Sequence, residues 1–309
     1  MTTPAAARPS APSIATTAAT TATPGTLGVL QRDREVTATE LRRRAEWIRL
    51  ETIRLVGIAG SGHYSSTFSA AELFAVLYYR VLRLVPADPA WPDRDRLLLG
   101  KGHAAVGLYP CLADLGFFPT EWLDSYTRLG SPLGDHPDMT KVPGVDFSSG
   151  SIGHNLSVGL GMALAARLSG HSYRTYVVLG DGELHEGQVY EAMMAASHFR
   201  LGNLVAVVDA NGSCLDGPTS QVMNVEPIAG RFAAFGWRTV ELDGHDVEAL
   251  MTAFVTLPPP TYDQPTCVVA RTIKGKGVSF MESAEEWHLG FLGPADRERA
   301  EREIRERLA

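Results

Sequence analysis

Asp181 and Asn211 are the two side chains of this 309-residue chain whose types and spacing point most directly to chemistry. Asp181 lies in Gly180-Asp181-Gly182 after the apolar run Tyr176-Val177-Val178-Leu179, and Asn211 lies in Asp209-Ala210-Asn211-Gly212 after Leu204–Val208. Each closes a predicted strand, and a helical segment separates the two, so both should arrive at neighbouring strand tips. Glycines at such tips let backbone amides approach an anion, and a helix starting just after Asp181 would add its positive dipole end. A hard cation suits this place. Mg²⁺ takes one or two protein oxygens and completes its octahedron with phosphate oxygens and water; Asp181, Asn211 and a backbone carbonyl near Ser213 would supply the protein part. Taken singly, Gly-Asp-Gly and Asn-Gly are ordinary turn sequences. The 30-residue separation (211 minus 181), spanned by strand, helix and strand, is what points to a metal.

The elements that must position these residues read as follows. From about Asp33 to Arg83 the pattern is helical: Leu41, Ala45, Ile48 and Leu55 recur near helical spacing, and Ala71, Phe74, Ala75, Leu77 and Tyr78 follow a Gly/Ser loop from Gly57 to Ser66. Downstream, Thr175–Leu179, Leu204–Asp209, Trp237–Leu242 and Cys267–Thr272 read as short strands, with helices over Leu184–Phe199 and near Val247–Thr256. Strand–helix alternation predicts right-handed crossovers and an α/β fold, a doubly wound, mostly parallel sheet with helices on both faces. Ligands of such folds sit outside the carboxyl ends of the strands. The terminal stretch 294–309 reads as a charged helix with a narrow stripe of Ala300, Ile304 and Leu308, a solvated face or a subunit contact.

Composition narrows the class. Lys+Arg 28 against Asp+Glu 35 gives a net charge of −7, which argues against a nucleic-acid partner held by a positive field. Cys111, Cys214 and Cys267 lie far apart with no metal-ligand spacing, the pattern of a reduced, cytoplasmic protein, and no apolar run is long enough to span a membrane. Residues 1–32, rich in Thr, Ala and Pro, read as a disordered tail, leaving 33–309 as one domain.

Gly180-Asp181-Gly182, 28 intervening residues and Asn211 resemble the thiamine-diphosphate-binding motif, and residues 180–192 with 201–212 resemble the transketolase branch of that superfamily. Four further segments match transketolases in order: Ser61-Gly62-His63; Gly100-Lys101-Gly102-His103; Gly134-Asp135-His136-Pro137 with Ser149-Gly150-Ser151-Ile152-Gly153; and Trp287-His288 after Lys274-Gly275-Lys276-Gly277. The match covers roughly residues 35–292. It implies the diphosphate-binding fold, thiamine diphosphate and Mg²⁺ as cofactors, and transfer of a two-carbon ketol unit from a ketose donor to an aldehyde acceptor through a thiamine-bound enamine. It gives Asp181 and Asn211 the metal by side chain and Ser213 by its carbonyl, and it assigns His63 and His103 to the diphosphate and the reacting centre. Both histidines lie in Gly-rich loops, where an imidazole can donate to phosphate or relay a proton near neutral pH. His136 resembles the residue bonding the donor near its carbonyl, and His288 one touching diphosphate and substrate oxygens. Gly150, Ser151, Ile152 and Gly153 resemble the loop against the aminopyrimidine. Gly180, Gly182 and Glu183 are carried over with the cofactor motif, and Glu186 and Glu191 resemble carboxylates joining cofactor sites across a dimer.

The chain departs from the family at two places. The loop that usually reads Gly-Pro-Leu-Gly-Gln-Gly here ends Gly153-His154-Asn155, and after Trp287-His288 comes the more apolar Leu289-Gly290-Phe291. In full-length transketolases a Glu from a second, pyrimidine-binding domain activates the cofactor, and a C-terminal domain follows. The expectation is therefore a split enzyme, in which a second subunit supplies both domains and the two assemble as an α₂β₂ heterotetramer. The rival readings are the α subunit of a thiamine-dependent 2-oxo acid dehydrogenase or decarboxylase, and a non-catalytic assembly subunit. A nicotinamide or flavin Rossmann protein is disfavoured, because no G-x-G-x-x-G is followed by an acid about 20 residues on.

Overall fold

A computed structural model describes residues 36–308, so the expected tail over 1–32 lies outside the described residues. Thr37 opens helix α1 (Ala38–Ala59) with a reciprocal cap: Glu40 N–H donates to its Oγ1 at 3.2 Å, and its own N–H donates to Glu40 Oε2 at 2.8 Å. Leu41, Ala45, Ile48 and Leu55 form the buried face of α1. The helix runs through Gly57 and stops at Gly60, which takes φ 81, so the loop expected from Gly57 begins three residues later. Gly57 lies inside the helix where the terminal helix packs closely: a Cβ there would lie 2.9 Å from the Arg297 guanidinium.

The chain continues through α2 (Ser65–Ser69), α3 (Ala71–Val76) with a π turn over Leu77–Val81, β1 (Arg96–Leu99), α4 (Ala105–Asp114) and α5 (His154–Ser169). Then come β2 (Thr175–Gly180), α6 (Gly187–His198), β3 (Leu204–Ala210), α7 (Thr219–Val222), α8 (Ile228–Ala234), β4 (Arg238–Asp243), α9 (Val247–Val255), β5 (Thr266–Arg271) and α10 (Pro294–Leu308). All five strands are parallel, in the order β1-β2-β3-β5-β4. The sheet separates two cores. Tyr176, Val178, Val205, Val207, Val268 and Ala270 face one with α1, α3, α4, α9 and α10; Val177, Leu179, Ala206, Val208, Cys267 and Val269 face the other with α5, α6 and α8. The expected α/β architecture with helices on both faces is what forms, and among the described residues no helix is long and apolar enough to cross a membrane.

Two expectations change. The helix after Gly180-Asp181-Gly182 does not start at Leu184. A single 3-10 turn, Gly182–His185, comes first, and Glu186 is extended (φ −75, ψ 125), so α6 begins at Gly187. The positive helix end therefore lies beyond the motif, and one short turn supplies no macrodipole of consequence beside Asp181. The terminal helix is not solvated along its stripe either. Ala300 and Ile304 are fully buried in the core shared with α1, and Arg307 Nη2 donates to Glu46 Oε2 at 3.0 Å and to Gly277 O at 2.6 Å. Ile304→Ala should therefore cost about 2–4 kcal/mol of unfolding free energy in a urea titration, where a solvated helix face would give near zero.

Candidate functional site

Parallel pairing of β2 with β3 sets Gly180 opposite Asp209, so the residues that follow leave the sheet side by side. Asp181 N–H donates to Asp209 O at 3.3 Å, which extends the register one step past the strand. The Asp181 carboxylate is then clasped by both turns: Oδ1 accepts from Gly182 N–H at 2.9 Å, and Oδ2 accepts from Gly212 N–H at 2.6 Å, across the Asn211-Gly212 turn. Asn211 Oδ1 accepts from Ser213 N–H at 3.1 Å. Asp181, Asn211 and Ser213 thus line one cavity of about 430 Å³ at the carboxyl ends of the strands.

The cavity is charged in a way that asks for an anion and a cation together. Burial first, and the nearby Asp209 second, push the Asp181 carboxyl up to about 6, so the group lacks a compensating positive charge of its own. Beneath it Asp209, fully buried, pairs with Lys101, accepts from Ser69 Oγ at 2.6 Å and accepts from the Thr272 hydroxyl. Among the described residues Lys274 is held by neutral oxygens: Nζ donates to Ser213 Oγ at 3.0 Å and to Cys214 O at 3.1 Å. Burial and then Lys101 lower its pKa, the mark of an ammonium short of counter-charge. The segment that carries it is anchored from behind, since Ile273 N–H donates to His245 Nε2 at 2.9 Å and His245 Nδ1 meets Glu72 Oε2 at 3.0 Å.

The four singled-out histidines meet above this floor. Ring centroids are 5.2 Å apart for His63–His103, 5.4 Å for His63–His288, 5.3 Å for His103–His288 and 6.2 Å for His63–His136. A backbone bridge explains the convergence: Gly62 and Gly290 exchange two hydrogen bonds of 3.0 Å, tying the His63 loop to the His288 loop. Asp135 Oδ2 lies 3.4 Å from His63 Nδ1 and 3.6 Å from His136 Nδ1. Burial would raise the Asp135 carboxyl, but the contacts from His63, Tyr126 and His136 outweigh it and hold it low. Burial, followed by Lys101 and the neighbouring imidazoles, pushes His103 well below the usual histidine range. Burial and Lys274 take His288 down to about 4.

Of the other expected residues, Gly150, Ile152, Gly180, Gly182, Glu183 and Glu186 line the same cavity. Ser151 is exposed and outside that lining, and Gly153 is buried behind it. Glu191 projects from α6 to the exterior and does not line the cavity, while Glu186 is exposed at its rim. His154 is exposed, its Nδ1 folded to 3.2 Å from Ile152 O, so the change from Gln alters the outside of the helix start rather than the cavity wall. Asn155 is fully buried, and neither of its amide atoms has a hydrogen-bond partner among the described residues. Lys101, Lys274 and Asp209 are the functional candidates that residue types alone do not single out. The two lysines stand inside the matched Gly100-Lys101-Gly102-His103 and Lys274-Gly275-Lys276-Gly277 segments, where attention falls on the histidine and the glycines.

The arrangement defines a class: a parallel α/β domain that presents an acid–amide pair and two buried lysines at its strand tips, beneath a histidine cluster. Residues 41–305 match the family model described as the transketolase, thiamine diphosphate binding domain. The chain is 38% identical over 260 residues to an apulose-4-phosphate transketolase subunit of Phocaeicola vulgatus, covering 84% of this chain and 92% of that protein. It is 40% identical over 243 residues to a 6-deoxy-6-sulfo-D-fructose transketolase subunit of a Clostridium species, covering 79% and 88%. Among solved structures, a transketolase variant from Pichia stipitis superposes with a TM-score of 0.81 at 31% identity, over 87% of this chain and 41% of that one. The chain belongs to the transketolase family and corresponds to its thiamine-diphosphate-binding domain. That membership places it among transferases, on the transketolase side of the rivalry with 2-oxo acid dehydrogenases.

The shifted histidines give a stability test. The unfolded chain binds a proton at His288 near the ordinary value of 6.5, while the folded chain resists it down to about 4. Between those values the unfolded state holds more protons, so stability is complete above pH 6.5 and falls as pH drops through the window. His288→Gln should flatten the fall in denaturation midpoint of the cofactor-free chain between pH 7 and pH 5; an unaltered slope would contradict the burial.

Proposed function

We propose that this chain is the diphosphate- and Mg²⁺-binding subunit of a two-subunit, cytoplasmic transketolase of carbohydrate metabolism, moving a two-carbon ketol unit from a ketose donor to an aldehyde acceptor. The observation that carries this reading is the Asp181 carboxylate held over the Asn211-Gly212 turn in the same cavity as Lys274, which no carboxylate among the described residues grips. The donor set fits a hard cation: one carboxylate, one amide oxygen and one peptide carbonyl, all oxygen. Among the described residues no three His, Cys, Asp or Glu side chains cluster as metal ligands, which suits an ion that draws its remaining coordination from phosphate and water.

Thiamine diphosphate, when bound, supplies the stabilised carbanion chemistry needed to cleave a carbon–carbon bond beside a ketose carbonyl. The chain's own residues bind, orient and manage protons. Asp181, Asn211 and the Ser213 carbonyl would hold the cation. Lys274, with Lys101 behind it, would attract the diphosphate, and Gly150 and Ile152 of the 150–153 loop would form the wall toward the rings. His103 and His288, neutral at pH 7 in the cofactor-free chain, can each donate from one ring nitrogen and accept at the other, the state a proton relay needs. His63, backed by Asp135, packs against both rings outside the cavity lining, and half-exposed His136, 6.2 Å from His63, would meet donor hydroxyls from the solvent side.

Similarity over 92% and 88% of the length of relatives named as transketolase subunits supports a partner that would bring the pyrimidine-binding domain, its catalytic Glu and the C-terminal domain, in an α₂β₂ heterotetramer. The contact between the two chains should bury more than about 2,000 Å². Three free cysteines, two of them buried, support a reducing compartment.

Calorimetry with thiamine diphosphate and Mg²⁺ tests the site. Asp181→Ala should weaken binding by at least about tenfold, or 1.4 kcal/mol, with the circular-dichroism spectrum intact; unchanged affinity would overturn the assignment. Purified alone at saturating cofactors, the chain should show no ketol transfer, and co-expression with a pyrimidine-domain subunit should restore it. Full turnover without a partner would refute the split, and a cofactor-loaded pair without turnover would favour a silent assembly subunit.

A further inference from the structure

Glu183 takes no part in the cation or diphosphate contacts derived above, yet it is only 3% exposed and both of its oxygens are committed. Oε1 accepts from Gly153 N–H at 2.8 Å, and Oε2 accepts from Gly180 N–H at 3.2 Å. A Cβ built on Gly100 would stand 2.5 Å from each of the same two oxygens. One carboxylate therefore touches three segments distant in sequence: the turn that leaves β1, the last residue of the 150–153 loop, and the end of β2 that delivers Asp181.

Each contact is made at a glycine, and at two of the three the glycine is required. Gly100 must lack a side chain because the carboxylate fills the place its Cβ would take. Gly153 holds φ 86 at the start of α5, and a Cβ there would sit 2.5 Å from Glu186 Cβ. A buried apolar side chain would fill this space without the desolvation that a carboxylate suffers. What an apolar group lacks is the pair of directional bonds that fix two backbone segments against each other.

We propose that Glu183 is a positioning residue that locks the 150–153 loop to the β2 tip, so that the cofactor-facing wall and the Asp181 metal ligand move as one unit, with Gly100 as the steric half of the joint. The proposal rests on the thiamine-diphosphate reading of the cavity. It recasts Glu183, carried over with the cofactor motif, as a group that acts through backbone rather than by touching cofactor.

A double-mutant cycle on the full chain tests it, with wild type, Gly100→Ala, Glu183→Ala and the pair compared for denaturation midpoint and for thiamine diphosphate affinity in Mg²⁺. Gly100→Ala should be the more destabilising single change, because its methyl meets the carboxylate. The pair should return to the Glu183→Ala value, since the methyl then meets nothing charged. Both single variants should bind thiamine diphosphate at least about tenfold more weakly, about 1.4 kcal/mol. Glu183→Gln keeps the volume and sets an amide N–H₂ against one backbone N–H; it should keep the fold while losing a similar affinity. Additive effects on stability would overturn the joint. Wild-type affinity in Glu183→Gln and Glu183→Ala, with stability alone reduced, would overturn the positioning role. The stability cycle needs no cofactor, so a wild-type chain that fails to bind thiamine diphosphate even when paired with its pyrimidine-domain subunit overturns the functional reading separately from the joint.

Discussion

Everything at the cavity follows from the in-register parallel pairing of β2 with β3. Opposite Gly180 stands Asp209, the pairing runs one step further through Asp181 N–H to Asp209 O, and the Asp181 carboxylate then accepts from Gly212 N–H, which sets it beside Asn211. A slip of one residue in that register would turn each strand's apolar set to the wrong face of the sheet. The burial of Val177, Leu179, Ala206 and Val208 on one side and of Tyr176, Val178, Val205 and Val207 on the other forbids it. The packing of two hydrophobic cores thus sets the relative position of the two oxygen-bearing side chains proposed to hold the cation.

Charge is distributed around that fixed point with unequal compensation. Lys101 and Asp209 satisfy one another in the floor, together with two hydroxyls, and form a buried neutral base. Asp181 and Lys274, by contrast, are each buried without a direct ionic partner among the described residues, one clasped by amides and the other by neutral oxygens. Buried charges of opposite sign held apart in one cavity cost stability unless ligands of complementary charge enter between them. A divalent cation on the acid and a diphosphate on the amine would restore both at once, which is the physical argument for the proposal that metal and anion bind as a unit.

Much of this is legible in the sequence. Strands β2, β3 and β5 can be placed to within one residue because fully buried parallel strands give continuous apolar β-branched runs, and the Asp181–Asn211 pair follows from them. Strand β1 and helices α4 and α5 escape such a reading. Arg96–Leu99 is four residues long, and α5 presents apolar residues on nearly all sides, so neither shows a usable period. The histidine convergence comes from family resemblance rather than from pattern, because the Gly62–Gly290 bridge that creates it joins loops more than 220 residues apart. Lys274 and Glu183 are opaque for a related reason: their roles depend on which neutral oxygens and backbone amides surround them, and side-chain spacing does not encode that.

The central claim, that two strand tips jointly hold a divalent ion which anchors a diphosphate, can be read directly from anomalous scattering. Crystals grown with thiamine diphosphate and Mn²⁺, which takes the same oxygen ligands as Mg²⁺, should show one strong anomalous peak about 2.1 Å from an Asp181 carboxylate oxygen and from Asn211 Oδ1, with diphosphate oxygens completing the shell. A peak at any other place, or bound cofactor with no ion between those two side chains, would contradict the account.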